Sequence, residues 1–238
     1  MRVGVTGCKG RVGQLLVEDI EANENLTYAG GIDKDDDTAS LFKEADCIID
    51  FTIPDATIQH AKLAAEHGTS LVIGTTGLDS DQEQILKDCS KDTVIVYAAN
   101  MSIGVNILLG LVQQTAQKLK DDWDIEIFET HHHHKIDSPS GTALALGKAA
   151  QAGRGGGEFV TDRAGKRNQG DIGYAVQRGG DVVGEHDVTF FSDGERIKLS
   201  HIATDRRLFV KGALRAAQWT KDKANGLYSM NDVLDIKL

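Results

Sequence analysis

Three cysteines in 238 residues, Cys8, Cys47 and Cys89, carry no CxxC spacing and cannot all pair with one another. A disulfide framework is excluded, and a reducing cytoplasm is the compartment expected. Basic charge is scarce too: 26 Lys and Arg stand against 36 Asp and Glu, for a formal net charge of −10. Phosphate backbones need clustered cations to release counterions, so nucleic acid is excluded as a partner. No apolar run is long enough to span a bilayer, and Met1-Arg2 leads straight into Val3-Gly4-Val5-Thr6-Gly7 without a hydrophobic signal region. A soluble, cytoplasmic protein with no membrane partner is expected. There is no internal repeat, and the one low-complexity patch is the glycine cluster at Gly153 to Gly157.

Short apolar runs alternate with amphipathic stretches up to about residue 100, which predicts a parallel sheet covered by helices. Strands are expected near 2–6, 28–32, 46–51, 70–74 and 93–97, with helices over Arg11 to Glu21, Ala56 to His67 and Ser80 to Cys89. One long helix from Ile103 through Leu119 should connect to a second region. There a strand from Asp124 to Glu129, a helix from about Ser140 to Gln151 and alternating segments such as Arg196 to Ile202 predict an antiparallel or mixed sheet. Arg207 to Lys221 reads as a helix, and the tail at Val233 to Ile236 should return to the first domain. The fold class expected is therefore α/β: an N-terminal Rossmann-like parallel-sheet domain (1–100), an α+β mixed-sheet substrate and oligomerisation domain (101–204), and a returning segment (205–238). A hinge between the domains is expected, because cofactor and substrate would bind on different ones.

Gly7-Cys8-Lys9-Gly10-Arg11-Val12-Gly13 follows the first strand and opens the first helix, the context in which a glycine turn receives a dinucleotide pyrophosphate. Gly10 and Gly13 match the last two glycines of the usual fingerprint, while Cys8 takes the place of the first. Asp33 falls at the end of the second strand, where a carboxylate can accept the adenosine ribose hydroxyls. The bland alternative is a tight strand-to-helix turn. Lys34, Lys9 and Arg11 would neutralise a 2′-phosphate, whereas Asp33 and Asp35 to Asp37 would repel one, so both NADH and NADPH are expected, with a lean to NADH. For Asp35 to Asp37 a solvated loop is the expected role. Gly74-Thr75-Thr76-Gly77 and Ala98-Ala99-Asn100-Met101 fall beyond the fourth and fifth strands, where loops line the nicotinamide half of such sites or serve only as turns.

Thr130-His131-His132-His133-His134-Lys135 and the following Asp137-Ser138-Pro139-Ser140-Gly141-Thr142 combine proton donors, a cation and a helix start that offers N–H groups to an anion. A small acidic substrate is expected. Side chains along a strand alternate between faces, so four adjacent histidines cannot converge on one ion, and no metal is expected. His133 and His134 are expected to pack or face solvent.

The stretch from His131 to Ala143 resembles the signature of the 4-hydroxy-tetrahydrodipicolinate reductase family, enzymes of the diaminopimelate route to lysine. The likeness extends through Val5 to Gly13, Asp50-Phe51-Thr52, Gly74 to Gly77, Ala98 to Asn100, Arg178 to His186 and Gly212 to Ala217. It implies NADH- or NADPH-dependent reduction of a cyclic dicarboxylate, with cofactor contacts that include Phe51 and Thr52. It implies His131 and Lys135 as the acid and electrostatic pair, and Lys135 and His132 as ligands of one substrate carboxylate. Ser140, Gly141 and Thr142 would hold a carboxylate through N–H and hydroxyl groups. A homotetramer formed through the second sheet is also implied. Two departures stand out: only thirteen residues separate Asp33 from Cys47, fewer than in many members, and His133 stands where arginine is common. The first bears on cofactor discrimination; the second should weaken substrate binding modestly. The rival readings are a dehydrogenase of another small carboxylate and a non-catalytic NADH sensor.

Overall fold

The computed structural model describes residues 1–34 and 36–237; Asp35, expected in a solvated loop, lies outside the described residues. The chain divides into two compact units, Met1–Ile103 with Arg207–Asp235, and Gly104–Arg206 with Ile236–Leu238.

The first unit is built on six parallel strands. They are β1 (Arg2–Thr6), β2 (Thr27–Ile32), β3 (Cys47–Asp50), β4 (Ser70–Ile73), β5 (Val94–Tyr97) and β11 (Gly226–Tyr228), in the order β11-β5-β4-β3-β1-β2. All four residues of β3, Cys-Ile-Ile-Asp, are buried, as a strand must be when helices cover both faces of its sheet. On one face α1 (Arg11–Glu21) and α7 (Arg207–Thr220) pack Leu16, Ile20, Val210, Ala213 and Ala217 against Val3, Val5 and Val72. On the other, α2 (Thr38–Glu44), α3 (Pro54–His67) and α4 (Ser80–Cys89) cover Ile48, Leu71, Ile73 and Ile95. The short α8 (Met230–Leu234) adds Met230 and Val233 to the first of these cores.

Local sequence sets the helix ends. Pro54 opens α3, where its missing N–H costs nothing, and Gly68 closes it in the left-handed region at φ 67°. Asp79 and Gln82 form a reciprocal capping box at the start of α4. Asp37, expected in a solvated loop, caps α2 by accepting from Ala39 N at 3.2 Å. The helix it caps was not foreseen, because seven residues are too few to display a helical period. Nor was β11, a three-residue edge strand.

The second unit carries α5 (Ile103–Leu119, of which Ile103 belongs to the first unit) and a mixed sheet in the order β10-β9-β6-β8-β7. Its strands are β6 (Asp124–His131), β7 (Phe159–Val160), β8 (Ile172–Arg178), β9 (Gly184–Ser192) and β10 (Glu195–Ala203). β6, β8 and β7 run parallel, while β9 is antiparallel to both β6 and β10. Strict alternation along β6 puts Ile125, Ile127, Glu129 and His131 on the buried face, where α6 (Gly141–Arg154) packs Ala143, Leu146 and Ala150 over them. Burying each of those isoleucines contributes roughly 2 kcal/mol, which is what makes the register of β6 costly to shift. The opposite face mixes charge pairs, Glu126 with Arg163 at 2.5 Å and Asp187 with Lys198 at 2.7 Å, with exposed apolar side chains such as Phe128 and Ile202. The strand expectation for the histidine run needs correcting: β6 ends at His131, and His132 to His134 turn away from it, with Lys135 N donating to His132 O at 3.1 Å.

Candidate active site

In the first unit β1 delivers the chain to a glycine turn whose geometry leaves no room for side chains. Gly7 sits at φ 75°, and a Cβ on Gly13 would lie 2.1 Å from Gly7 O. The helix that follows has no side-chain cap at Gly10 and no acidic residue in its first turn. Its N–H groups are thus free of internal anions, which suits a phosphate. Lys9 N and Lys34 N donate to the Asp33 carboxylate at 3.1 and 2.8 Å, and these two N–H groups hold its carboxyl below the usual range. Asp33 therefore stays an acceptor beside the turn.

A cavity of about 550 Å³ in this unit is lined by Gly7, Gly10, Asp33, Lys34, Phe51 and Thr52, among others. Thr75 sits behind it, its hydroxyl accepting from Thr52 N at 3.0 Å, and Gly74 packs on the Phe51 ring. Other expected cofactor residues stand differently. Arg11, Thr76 and Ala99 are exposed, and Cys8 packs beside Tyr28 and Gly31. Val12 and Ala98 pack against the core, while the Met101 side chain is itself buried there. Asn100 Oδ1 accepts from Ser102 N at 2.9 Å. Sequence reasoning missed Ile53, Ala56, His60 and Leu63, which also line the cavity. The buried His60 is tied to buried Asp50 at 3.1 Å; it stands midway along α3, the helix that follows the carboxyl end of β3, and that placement was the available signal.

In the second unit the histidine loop is held by backbone bonds to the segment before β9: His132 N donates to Val182 O at 2.8 Å, and Gly179 N to His131 O at 2.9 Å. Under it lies Glu129, 1% exposed. One carboxylate oxygen meets His131 Nδ1 at 2.5 Å and Arg178 Nη1 at 2.8 Å; the other accepts from Arg178 Nη2 and Ser140 N, both at 2.9 Å. Burial pushes the Glu129 carboxyl up, but the Arg178 guanidinium, His131 and the Ser140 N–H together outweigh it and hold it below the ordinary value. Burial draws His131 below its usual range; the Glu129 carboxylate offsets this in part, while Lys135 and Arg178 reinforce it.

Lys135 is not a lone cation. Its Nζ meets Asp137 Oδ1 at 2.8 Å, and Asp137, held low first by Lys135, also accepts from the Gly141 backbone. An internal carboxylate thus occupies the reach between the lysine and the start of α6. Ser140 differs from expectation: it is buried, its hydroxyl accepts from Ala143 N at 3.2 Å as the helix cap, and it meets His186 Nε2 at 3.1 Å. Gly141 and Thr142, the first two residues of the helix, are exposed and half-buried respectively. His133 and His134 are exposed, their rings 3.9 Å apart, and His133 Nδ1 meets Gly180 O at 2.8 Å. His132 is half-buried, and its Nδ1 has no partner among the described residues.

Glu129, Arg178 and His186 were missed as site residues. Glu129 announced itself only by standing two positions before His131 on one strand, hence on the same face. His186 is brought opposite Glu129 by the β6–β9 register, which sequence does not display. Among the described residues no cluster suited to a metal ion occurs, and no helix is long and apolar enough to cross a membrane.

A parallel sheet with an anion-ready glycine turn in one unit, and a braced histidine beside lysine and a helix start in another, define a nicotinamide-dependent oxidoreductase of a small substrate. Comparison with known proteins narrows the class. The family model described as dihydrodipicolinate reductase matches in two parts, its N-terminus over residues 1–101 and its C-terminus over residues 104–234. The chain is 45% identical to the 4-hydroxy-tetrahydrodipicolinate reductase of Ruegeria sp. (strain TM1040), over 98% of this chain and 97% of the relative. It is also 45% identical to the same enzyme of Parvibaculum lavamentivorans, over 100% and 98%. The chain belongs to the dihydrodipicolinate reductase family. Its fold is similar to that of a dipicolinate-bound dihydrodipicolinate reductase from Paenisporosarcina sp. TG-14, with a TM-score of 0.79 at 22% identity over 96% of this chain and 97% of the other.

Proposed function

We propose that this chain reduces 4-hydroxy-tetrahydrodipicolinate to tetrahydrodipicolinate with NADH or NADPH, serving lysine and diaminopimelate synthesis. The observation that carries the reading is the company of His131: a buried Glu129 behind it, and Lys135 and an N–H-presenting helix start beside it. A bound nicotinamide would supply the hydride that reaches C4 of the ring once water has left. Everything else falls to side chains. His131 delivers the proton to the neighbouring carbon as general acid, and Lys135 stabilises the negative charge that develops. Lys135 with His132 holds one carboxylate, and the N–H groups at Gly141 and Thr142 hold one at the start of α6. Substrate must then displace Asp137 from Lys135, exchanging an internal carboxylate for a bound one.

Both cofactors are accepted, with a lean to NADH, because Asp33 beside the glycine turn favours ribose hydroxyls over a 2′-phosphate. The enzyme works in the cytoplasm as a homotetramer through the second sheet, without nucleic acid or membrane partners. The test is loss of nicotinamide absorbance when purified protein meets NADH or NADPH and substrate generated from pyruvate and aspartate semialdehyde by the preceding synthase. Oxidation that depends on the synthase is the expected result and ranks the cofactors. Folded protein that oxidises neither cofactor overturns the reading.

A further inference from the structure

Glu129 is the least exposed acid at the site and the most heavily engaged, with four short contacts that no function assigned so far explains. An ionised carboxylate only accepts hydrogen bonds, so at 2.5 Å the His131 Nδ1 must be the donor. That fixes the neutral imidazole in one tautomer, with Nδ1 protonated and the lone pair on Nε2. The opposite edge of the ring is kept clear by Gly184, where a Cβ would lie 2.9 Å from His131 Nε2 and 3.3 Å from Cδ2. The second Glu129 oxygen takes the Ser140 N–H, so one carboxylate sets both the histidine and the residue that caps α6. Arg178 closes the arrangement with a two-pronged grip that keeps the carboxylate charged where burial alone would neutralise it. His186 faces the His131 ring edge-on at 5.0 Å and bonds the Ser140 hydroxyl, and it brings no second acid to the ring.

We propose that Glu129 is the positioning residue of the reductive site: it holds His131 in the Nδ1–H tautomer with Nε2 presented to substrate, and ties that ring to the anion-holding start of α6. The inference rests on His131 acting as the proton donor described above. On this geometry the proton reaches substrate from Nε2 of the imidazolium. Glu129 stabilises that cation, against Lys135 and Arg178, and remains ionised throughout. A carboxylate with a structural role alone would leave the tautomer and the titration of His131 untouched when its charge is removed.

Two measurements decide it. Nitrogen-resolved NMR of 15N-histidine-labelled wild-type protein, with the His131 signals assigned through His131→Gln, should find the neutral ring protonated on Nδ1, with a proton shifted far downfield by its short bond. The Nε2–H tautomer in that ring overturns the proposal, and this arm needs neither substrate nor turnover. In Glu129→Gln, kcat should fall on the order of a hundredfold or more, as when a catalytic histidine loses its orienting carboxylate. KM should change less, and NADH affinity should stay as in wild type. Loss of the negative neighbour makes the imidazolium harder to form, so the alkaline limb of kcat/KM should move to lower pH. An unmoved limb in folded variant overturns the proposal. Should Glu129→Gln fail to fold, the tautomer found in wild-type protein upholds or overturns the proposal by itself. Wild-type protein that turns over no substrate sinks the proposed function, while the tautomer still reports on Glu129.

Discussion

Lys135 is useful because its charge is available yet held: 21% of its side chain is exposed, and Asp137 keeps it in place. Lys135→Ala should cut turnover by on the order of a hundredfold or more while leaving NADH affinity, measured by fluorescence titration, nearly intact. An unchanged rate would refute the assignment, and the sensor reading would gain by it. His186 makes a different prediction. Burial, reinforced by His131, lowers it from the ordinary 6.5 to about 4, and its Nδ1 has no partner among the described residues. The unfolded chain therefore binds this proton between pH 6.5 and about 4 while the folded chain refuses it, so folding stability falls as pH drops through that window. The loss is on the order of 2 to 3 kcal/mol, read as a falling urea midpoint between those pH values, and His186→Asn should flatten the slope. At this scale the sequence disclosed residue types better than partners. His131 and Lys135 stood out by chemistry and company; Glu129 and His186 did not, because strand pairing and burial give them their roles. Met101 was chosen for its place beyond a strand end, yet its side chain went to the core, 1% exposed.

Among the elements, the glycine turn between β1 and α1 is the most exacting, since Gly13 lies where any side chain would strike Gly7 O. Gly13→Ala should lower cofactor affinity at least tenfold and cost about 1–3 kcal/mol of stability, through the overpacking it forces. Titration with NADH and thermal unfolding measure the two effects. Affinity equal to wild type would mean the turn does not carry the pyrophosphate. The first five strands and their longer helices were legible because short apolar runs there alternate with stretches of helical period. The helix α2 and the strands β7 and β11 were not, being two to seven residues long and set by pairing and caps instead of pattern. The second sheet was legible as mixed, but its order, with β6 in the middle, comes from long-range pairing.

For the whole molecule, the testable property is assembly. The face of the second sheet away from α6 carries Glu126, Phe128, Asp187, Lys198 and Ile202, of which Ile202 is 63% exposed and Phe128 37%. A homotetramer through this sheet predicts light scattering near four times 25.7 kDa at micromolar concentration, and a monomer mass would remove it. For the division of the chain the sequence offered the change of pattern after the long helix, and for the return of the tail only a few apolar residues.

That return has a consequence during synthesis. The first unit is made of residues up to Ile103 and from Arg207 to Asp235, and its core needs Val210, Ala213 and Ala217 of α7 and Met230 of α8. A ribosome that has finished β5 must still add more than a hundred residues before those side chains exist, a delay of roughly 5 to 20 s or more at ordinary elongation rates. Through that interval Val3, Val5 and Val72 wait on a sheet with one face half-bare. The inserted unit, whose residues are nearly contiguous, can complete itself first, so the part of the protein made earliest is the last to be finished.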